Sequence, residues 1–234
     1  MAAHEADGGA AAGTTRRGDA ARLQLIGVAE QLFAERGIEA VSLRDVSASA
    51  GQRNHSAAQY HFGDRRGLVA AVYLARMARV DRLRNERMAE LTATGMEGDL
   101  PSLVEAAVAP LVEVVAETGG WYGRFLARTR WDTFASAVVA ELDITTGLRL
   151  VRRRLIGLLD DLPLPVRHHR LDQLTTLVVG TVASWEWAEH RGRTRLDRDE
   201  LVADLVATGT ALLRAPATTS SRAPSGASLQ GAPT

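Results

Sequence analysis

From Asp19 to Arg214 the large apolar residues recur three and four positions apart, and nowhere do they alternate over a sustained run. A 3.6-residue period gathers such positions on one helix face, whereas a half-buried strand needs a period of two. No Asn-Gly or Asp-Gly pair flanked by β-branched runs marks a hairpin. The spacing therefore predicts an all-α protein of about nine helices. Residues 1–18 and 215–234 hold Gly, Ala, Ser, Thr and Pro with almost no large apolar side chain, so both ends are expected to be disordered.

The first pattern starts near Asp19, a candidate cap, and sets Leu25, Ile26, Ala29, Leu32 and Phe33 on one face before Gly37 ends it. Ser42-Leu43-Arg44-Asp45 has the form of a capping box and opens a second helix with Leu43, Val46, Ser47 and Ala50 inward. After Gly51-Gln52-Arg53 a third helix is expected over 54–62 with Asn54 as cap, and two short helices joined by a Gly-containing turn describe a helix-turn-helix. A long helix follows from Arg65 to Leu91, with Arg76, Arg79, Arg82, Arg84 and Arg87 assigned outward. Further helices are expected over 101–115, 121–131, 145–159, 166–190 and 197–214.

These residues resemble the TetR family of transcriptional regulators. The resemblance rests on Ala29, Leu32, Phe33 and Gly37; on Val41-Ser42-Leu43-Arg44-Asp45-Val46; on Ala50-Gly51; and on Tyr60-His61-Phe62-Gly63 with Arg65 and Leu68. It covers about fifty of the 234 residues. It implies a DNA-binding domain over 19–64, a helical effector-binding and dimerisation domain over 65–214, and a cytoplasmic repressor. Its partners would be a palindromic double-stranded operator, a small hydrophobic or aromatic effector and a second copy of the chain. No cofactor, metal, catalytic residue or membrane partner is implied. Two departures from the family pattern fall where DNA is read: one extra residue between Ala50 and Phe62, placed in the turn 51–53, and Gln59 where Tyr is usual.

A recognition helix in the major groove divides its side chains between phosphate contacts, which position, and base contacts, which specify. His55, Ser56, Gln59 and Tyr60 are outward candidates, Ala57 suits a thymine methyl, and Gln59 offers the paired donor and acceptor that adenine matches. The resemblance puts Arg44 near a base edge and makes Ser42, Arg53, Tyr60, His61 and Arg65 phosphate candidates. The rival reading leaves Arg44 and Arg65 as surface charges or partners of Asp45 and Asp64, and Tyr60 as core. Ala58 and Phe62 are assigned inward.

In the later helices, Leu171, Leu174, Val178 and Val182, with Leu201, Leu205, Thr208 and Leu212, form stripes that two copies could close into a four-helix bundle. Trp121, Tyr122, Phe125, Trp131 and Phe134 fall within fourteen residues and, with Trp185, suggest the lining of a ligand pocket; an ordinary core would look similar. A regulator without an effector, its middle helices merely packed, is the alternative. A helical enzyme is the remote one: His168, His169 and Asp172 could be drawn as metal ligands, yet adjacent helical His residues diverge by about a hundred degrees. The run Arg149, Arg152, Arg153 and Arg154 could hold a phosphorylated ligand or be a solvated face.

Composition sharpens this reading. The chain has no Cys, which removes disulfides and thiolate chemistry, and no run of eighteen apolar residues. All 28 basic residues are Arg, balanced by 28 acids. The balance is regional: residues 16–87 carry 13 Arg against 8 acids, a balance of +5, and residues 88–213 carry 13 Arg against 18, a balance of −5. A basic first third beside an acidic remainder is what a DNA-facing part and a separate regulatory part require.

Overall fold

The computed structural model describes residues 8–142 and 146–216, with side chains from residue 18 onward. Among these residues it contains ten α-helices and no strand. They are α1 (Gly8–Arg36), α2 (Leu43–Ser49), α3 (Ala57–Phe62), α4 (Arg65–Thr94), α5 (Leu100–Thr118), α6 (Tyr122–Trp131), α7 (Thr133–Ala140), α8 (Thr146–Leu158), α9 (Leu164–His190) and α10 (Arg198–Arg214).

Local signals account for most boundaries. Ser42 Oγ accepts from Asp45 N at 3.1 Å while Asp45 Oδ2 accepts from Ser42 N at 3.0 Å, so the expected capping box is formed. The Ser42 hydroxyl also donates to Asp45 Oδ2, and these bonds hold the carboxyl below its ordinary pKa. A depressed carboxylate supports the fold above its unfolded value of 3.8 and loses that support as pH falls through the folded value. Ser42→Ala should cost about 1 kcal/mol in denaturant titration. It should also raise the Asp45 pKa in a carboxylate NMR titration; an unmoved Asp45 would refute the capping role.

Three expectations about boundaries are corrected. Helix α1 begins at Gly8, so residues 8–18 of the stretch expected to be disordered are helical and Asp19 lies inside the helix; Ala10, Ala11 and Ala12 are the strongest helix formers available. Residues 1–7 and 217–234, also expected to be disordered, lie outside the described residues. Helix α3 begins at Ala57: Asn54 Oδ1 accepts from Ser56 N at 3.0 Å, which closes a local turn instead of capping a helix. Helix α7 was not expected; Asp132 caps it by accepting from Ala135 N at 2.8 Å, a signal hidden behind the end of α6.

Helix α5 carries apolar residues on nearly every side and packs against α4, α8, α9 and α10. A helix of that kind must be covered all round, and this corrects the dimer assignment. Leu171, Leu174, Val178, Val182, Leu201 and Leu205 are all buried inside the single chain and present nothing to a partner. Of the eight residues proposed, Thr208 is exposed and Leu212 half-buried. The outward surface of α9 and α10 carries Gly180, Ser184, Ala207, Thr208 and Ala211 instead, with Leu177 half-buried beside them.

Arg84 is likewise not outward but 5% exposed, because α4 is enclosed by α5 on one side and α8 on another. Asp81, also buried, holds the start of α8: it accepts from Gly147 N at 3.0 Å, Leu148 N at 3.2 Å and the Thr146 hydroxyl at 2.8 Å. Arg170 performs the opposite service for α10, donating to the carbonyls of Leu212 at 3.2 Å, Leu213 at 2.9 Å and Pro216 at 3.1 Å.

Candidate nucleic-acid interface

The helix-turn-helix is anchored from beneath. Val46, Ser47 and Ala58 are buried against the core that Leu25, Phe33, Leu68 and Val69 extend. Ser47 joins the two short helices: its hydroxyl donates to Leu43 O at 3.0 Å and accepts from Ala58 N at 3.0 Å. Gln24 of α1 ties down the turn, donating to Ala50 O at 3.0 Å. The connection from Ala50 to Ser56 is non-helical throughout.

Tyr60 projects from α3 with 84% of its surface exposed, so it is not core. Gln59, His55, Ser56, Arg53 and Arg44 are exposed around it, while Ala57, His61 and Arg65 are partly so. The His61 ring meets Tyr60 edge-on, with centroids 5.2 Å apart. Phe62 is half-buried and packs on the core as assigned, with the Arg22 guanidinium 5.5 Å from its ring centroid. Asp45 is engaged by Ser42, and Asp64 accepts from Gly67 N at 2.8 Å as the cap of α4. Asp45 still lies near enough to Arg44 for that cation to help lower its pKa. The Ser42 hydroxyl commits its proton to Asp45, which weakens its case as a phosphate donor.

The junction between α3 and α4 is tight. Gly63 adopts φ 74°, a left-handed conformation that favours glycine, and turns the chain within two residues. Gly67 was passed over in the sequence, yet a Cβ there would lie 2.1 Å from the Phe62 carbonyl oxygen. The only sequence signal was a glycine in the first turn of a long helix. Ser47 and Gln24 were missed as supports because their roles depend on partners 11 and 26 positions away.

The aromatic set does not assemble into one lining. Tyr122 and Phe125 are core, with ring centroids 5.9 Å apart, and Phe125 lies 6.1 Å from Phe33. Trp131 and Phe134 are exposed, and Trp185 donates its indole N–H to Leu196 O at 3.0 Å. Trp121 lines an open groove of about 490 Å³ together with Trp187, and Arg124 lies 3.7 and 4.5 Å from their two ring centroids. His168 and His169 are both exposed, and the described residues contain no group of three potential metal ligands. Arg152 and Arg154 are ion-paired with Asp172 at 3.1 Å and Glu97 at 3.8 Å.

A helix-turn-helix with an exposed second helix, set on a larger helical body, defines a DNA-binding transcriptional regulator. Residues 25–72 match the model of the bacterial regulatory proteins of the tetR family. Such proteins are DNA-binding regulators and not enzymes. Among solved structures the fold is similar to the fatty acid degradation regulator FadR from Bacillus halodurans. That pair shares 17% identity at TM-score 0.56, over 83% of this chain and 98% of the other. Looser likenesses are a protein described as the superantigen pfit (16% identity, TM-score 0.48, 80% and 87% covered) and a TetR-family regulator from Mesorhizobium loti (16%, 0.47, 84% and 96%). No curated protein sequence matches. No described helix is long and apolar enough to cross a membrane.

Proposed function

We propose that the protein is a cytoplasmic, homodimeric repressor whose hold on a palindromic operator is released by a small-molecule effector. The observation that carries the DNA-facing part is α3, which presents Gln59 and Tyr60 to solvent, with Arg44 on the preceding helix and Arg65 on the following one. Gln59 and Arg44 read base edges in this proposal; Arg53, Tyr60, His61 and Arg65 take phosphates, and His55, Ser56 and Ala57 complete the surface. Arg65 lies in the first turn of α4, where free amide protons also favour an anion. The DNA-binding domain spans 19–64 and the effector and dimer domain 65–214, with α4 packed against helices of both.

Dimerisation uses the small-residue surface of α9 and α10, where Gly180, Ser184, Ala207 and Ala211 let partner helices approach closely. Two copies related by a two-fold axis set two recognition helices on the halves of a palindrome. The effector enters the interior between α4, α5, α8 and α9, where a small cavity is lined by Leu111, Val151, Leu155 and Leu171.

Selection of duplexes from a random pool, followed by fluorescence anisotropy, tests the DNA part. Arg65→Ala should weaken binding to every sequence and reduce the slope of log K against log salt by about 1. Gln59→Ala should relax preference at one base pair per half-site, by about 1–3 kcal/mol. If Gln59→Ala changes cognate and random duplexes equally, the residue does not read sequence. If the selection yields no preferred sequence, the regulator reading fails.

A further inference from the structure

Two buried arginines of this fold differ in what they do. Arg170 spends its guanidinium on the carbonyls that end α10. Arg84 gives Nε and Nη2 to the Ala107 carbonyl, at 3.2 and 3.1 Å, and its Nη1 has only the Met77 sulfur, at 3.8 Å. A thioether is a weak acceptor. Among the described residues no carboxylate comes within ion-pair distance of Arg84; the nearby buried Asp81, one turn earlier, accepts from the start of α8 and acts on Arg84 only through its charge. Burial lowers the pKa of Arg84 below the ordinary arginine value, the mark of a cation that water does not compensate.

Arg84 borders a small, partly open cavity of about 60 Å³ between α4, α5, α8 and α9. Leu111, Val151, Leu155, Leu171 and Val178 supply apolar walls. Arg152 also lines it, and with 29% of its side chain exposed it reaches from the cavity toward solvent, held by Asp172. One water fills about 10–15 Å³ of such space, so the cavity takes about four to six non-hydrogen atoms. A short apolar box with a buried, incompletely paired guanidinium excludes aromatic rings by size and neutral polar molecules by charge.

We infer that this cavity is an effector site for a short-chain aliphatic carboxylate of about two to four carbons, its carboxylate paired with Arg84 and its chain against the leucine and valine walls. The inference rests on the proposed effector-responsive function and names the class of effector. An anion that draws Arg84 away from Ala107 shifts α4 against α5. The first turn of α4 is wedged against Phe62 at the end of the recognition helix, so such a shift is felt at the DNA surface.

Calorimetric titration of the full-length protein at pH 7.5 with sodium propionate and sodium butyrate tests this against butanamide, which has nearly the same shape and no charge. Butyrate should bind once per protomer, raise Tm and weaken operator binding, and butanamide should bind at least about tenfold more weakly. Arg84→Gln should abolish that discrimination; because the variant itself could be unstable, the comparison of butyrate with butanamide on the unaltered protein is decisive. Equal binding of acid and amide, or no binding of either acid, overturns the inference. Operator release by a neutral compound while both acids leave Tm unchanged would overturn the carboxylate and keep the repressor. Butyrate binding that leaves operator affinity unchanged supports the site and overturns its regulatory use.

Discussion

Gly67→Ala is expected to abolish specific operator binding while changing no residue that touches DNA. The added methyl would stand 2.1 Å from the Phe62 carbonyl oxygen, a distance at which something must move, and the obstacle is backbone, not the end of a flexible side chain. Relief requires α4 to withdraw from α3 or α3 to tilt. Either movement displaces Gln59 and Tyr60 together, since α3 has only six residues and its single fully buried residue is Ala58. Overpacking of this kind costs about 1–3 kcal/mol. A tilt of the recognition helix forfeits several base contacts at once, each worth about 1–3 kcal/mol. Anisotropy should therefore show operator affinity reduced at least about a hundredfold, with the remaining binding no tighter to operator than to random duplex. Gly27→Ala is the control: it is an exposed helical glycine whose Cβ would meet nothing within 4 Å. It should raise stability by about 0.4–1 kcal/mol and leave binding intact. A Gly67→Ala protein with unaltered operator affinity would mean that the junction adapts without moving α3.

What the sequence made legible and what it concealed divide along the range of the interactions. Ser42 and Asp45 lie three positions apart, so their mutual capping can be read from spacing alone. The burial of Leu25, Phe33, Val46 and Ala58 follows from helical periodicity in helices that set one face against the core. Periodicity failed for α4, which is covered on more than one side: a charged residue at position 84 reads as outward, yet the wheel cannot know that α5 and α8 both lie against it. It failed for α9 and α10 in the opposite sense. A stripe of Leu and Val is the same whether it meets the partner subunit or the helix beneath, and α5, apolar all round, claims it. Nearness in sequence also misled over the aromatic residues. Tyr122 and Phe125, three apart, share the inward face of α6, while Trp131 closes that helix and Phe134 begins the next, and both face outward.

The largest loss of stability should come from Glu186→Ala, because one buried carboxylate holds the start of α6. Glu186 is 3% exposed and accepts from Gly123 N and Arg124 N, each at 2.9 Å, with Arg124 Nε 3.5 Å away. Beside it Glu30 of α1, 2% exposed, accepts from Trp121 N at 3.1 Å and faces Arg76 at 3.4 Å. Two carboxylates from distant parts of the chain thus receive amides at the start of a single helix, and they join α1 to α9 through α6. Removing Glu186 strands two buried amides and the Arg124 guanidinium, which should cost about 3–5 kcal/mol. For a chain of this size that lowers Tm by roughly 6–20 °C. Burial raises the Glu186 pKa above its ordinary value, outweighing the amides and Arg124, which lower it; nearby Glu30 adds to the rise. A raised carboxyl pKa means that the folded state holds the proton more firmly than the unfolded one. Its contribution is complete below the unfolded value of 4.5 and is lost as pH rises through the folded value. Glu186→Gln cannot titrate, so the unaltered protein should lose stability relative to this variant as pH climbs from 4.5 toward neutrality, measured by urea unfolding at each pH. Parallel pH profiles would show that the carboxyl keeps its ordinary affinity for protons and that the amides and Arg124, not burial, govern its charge.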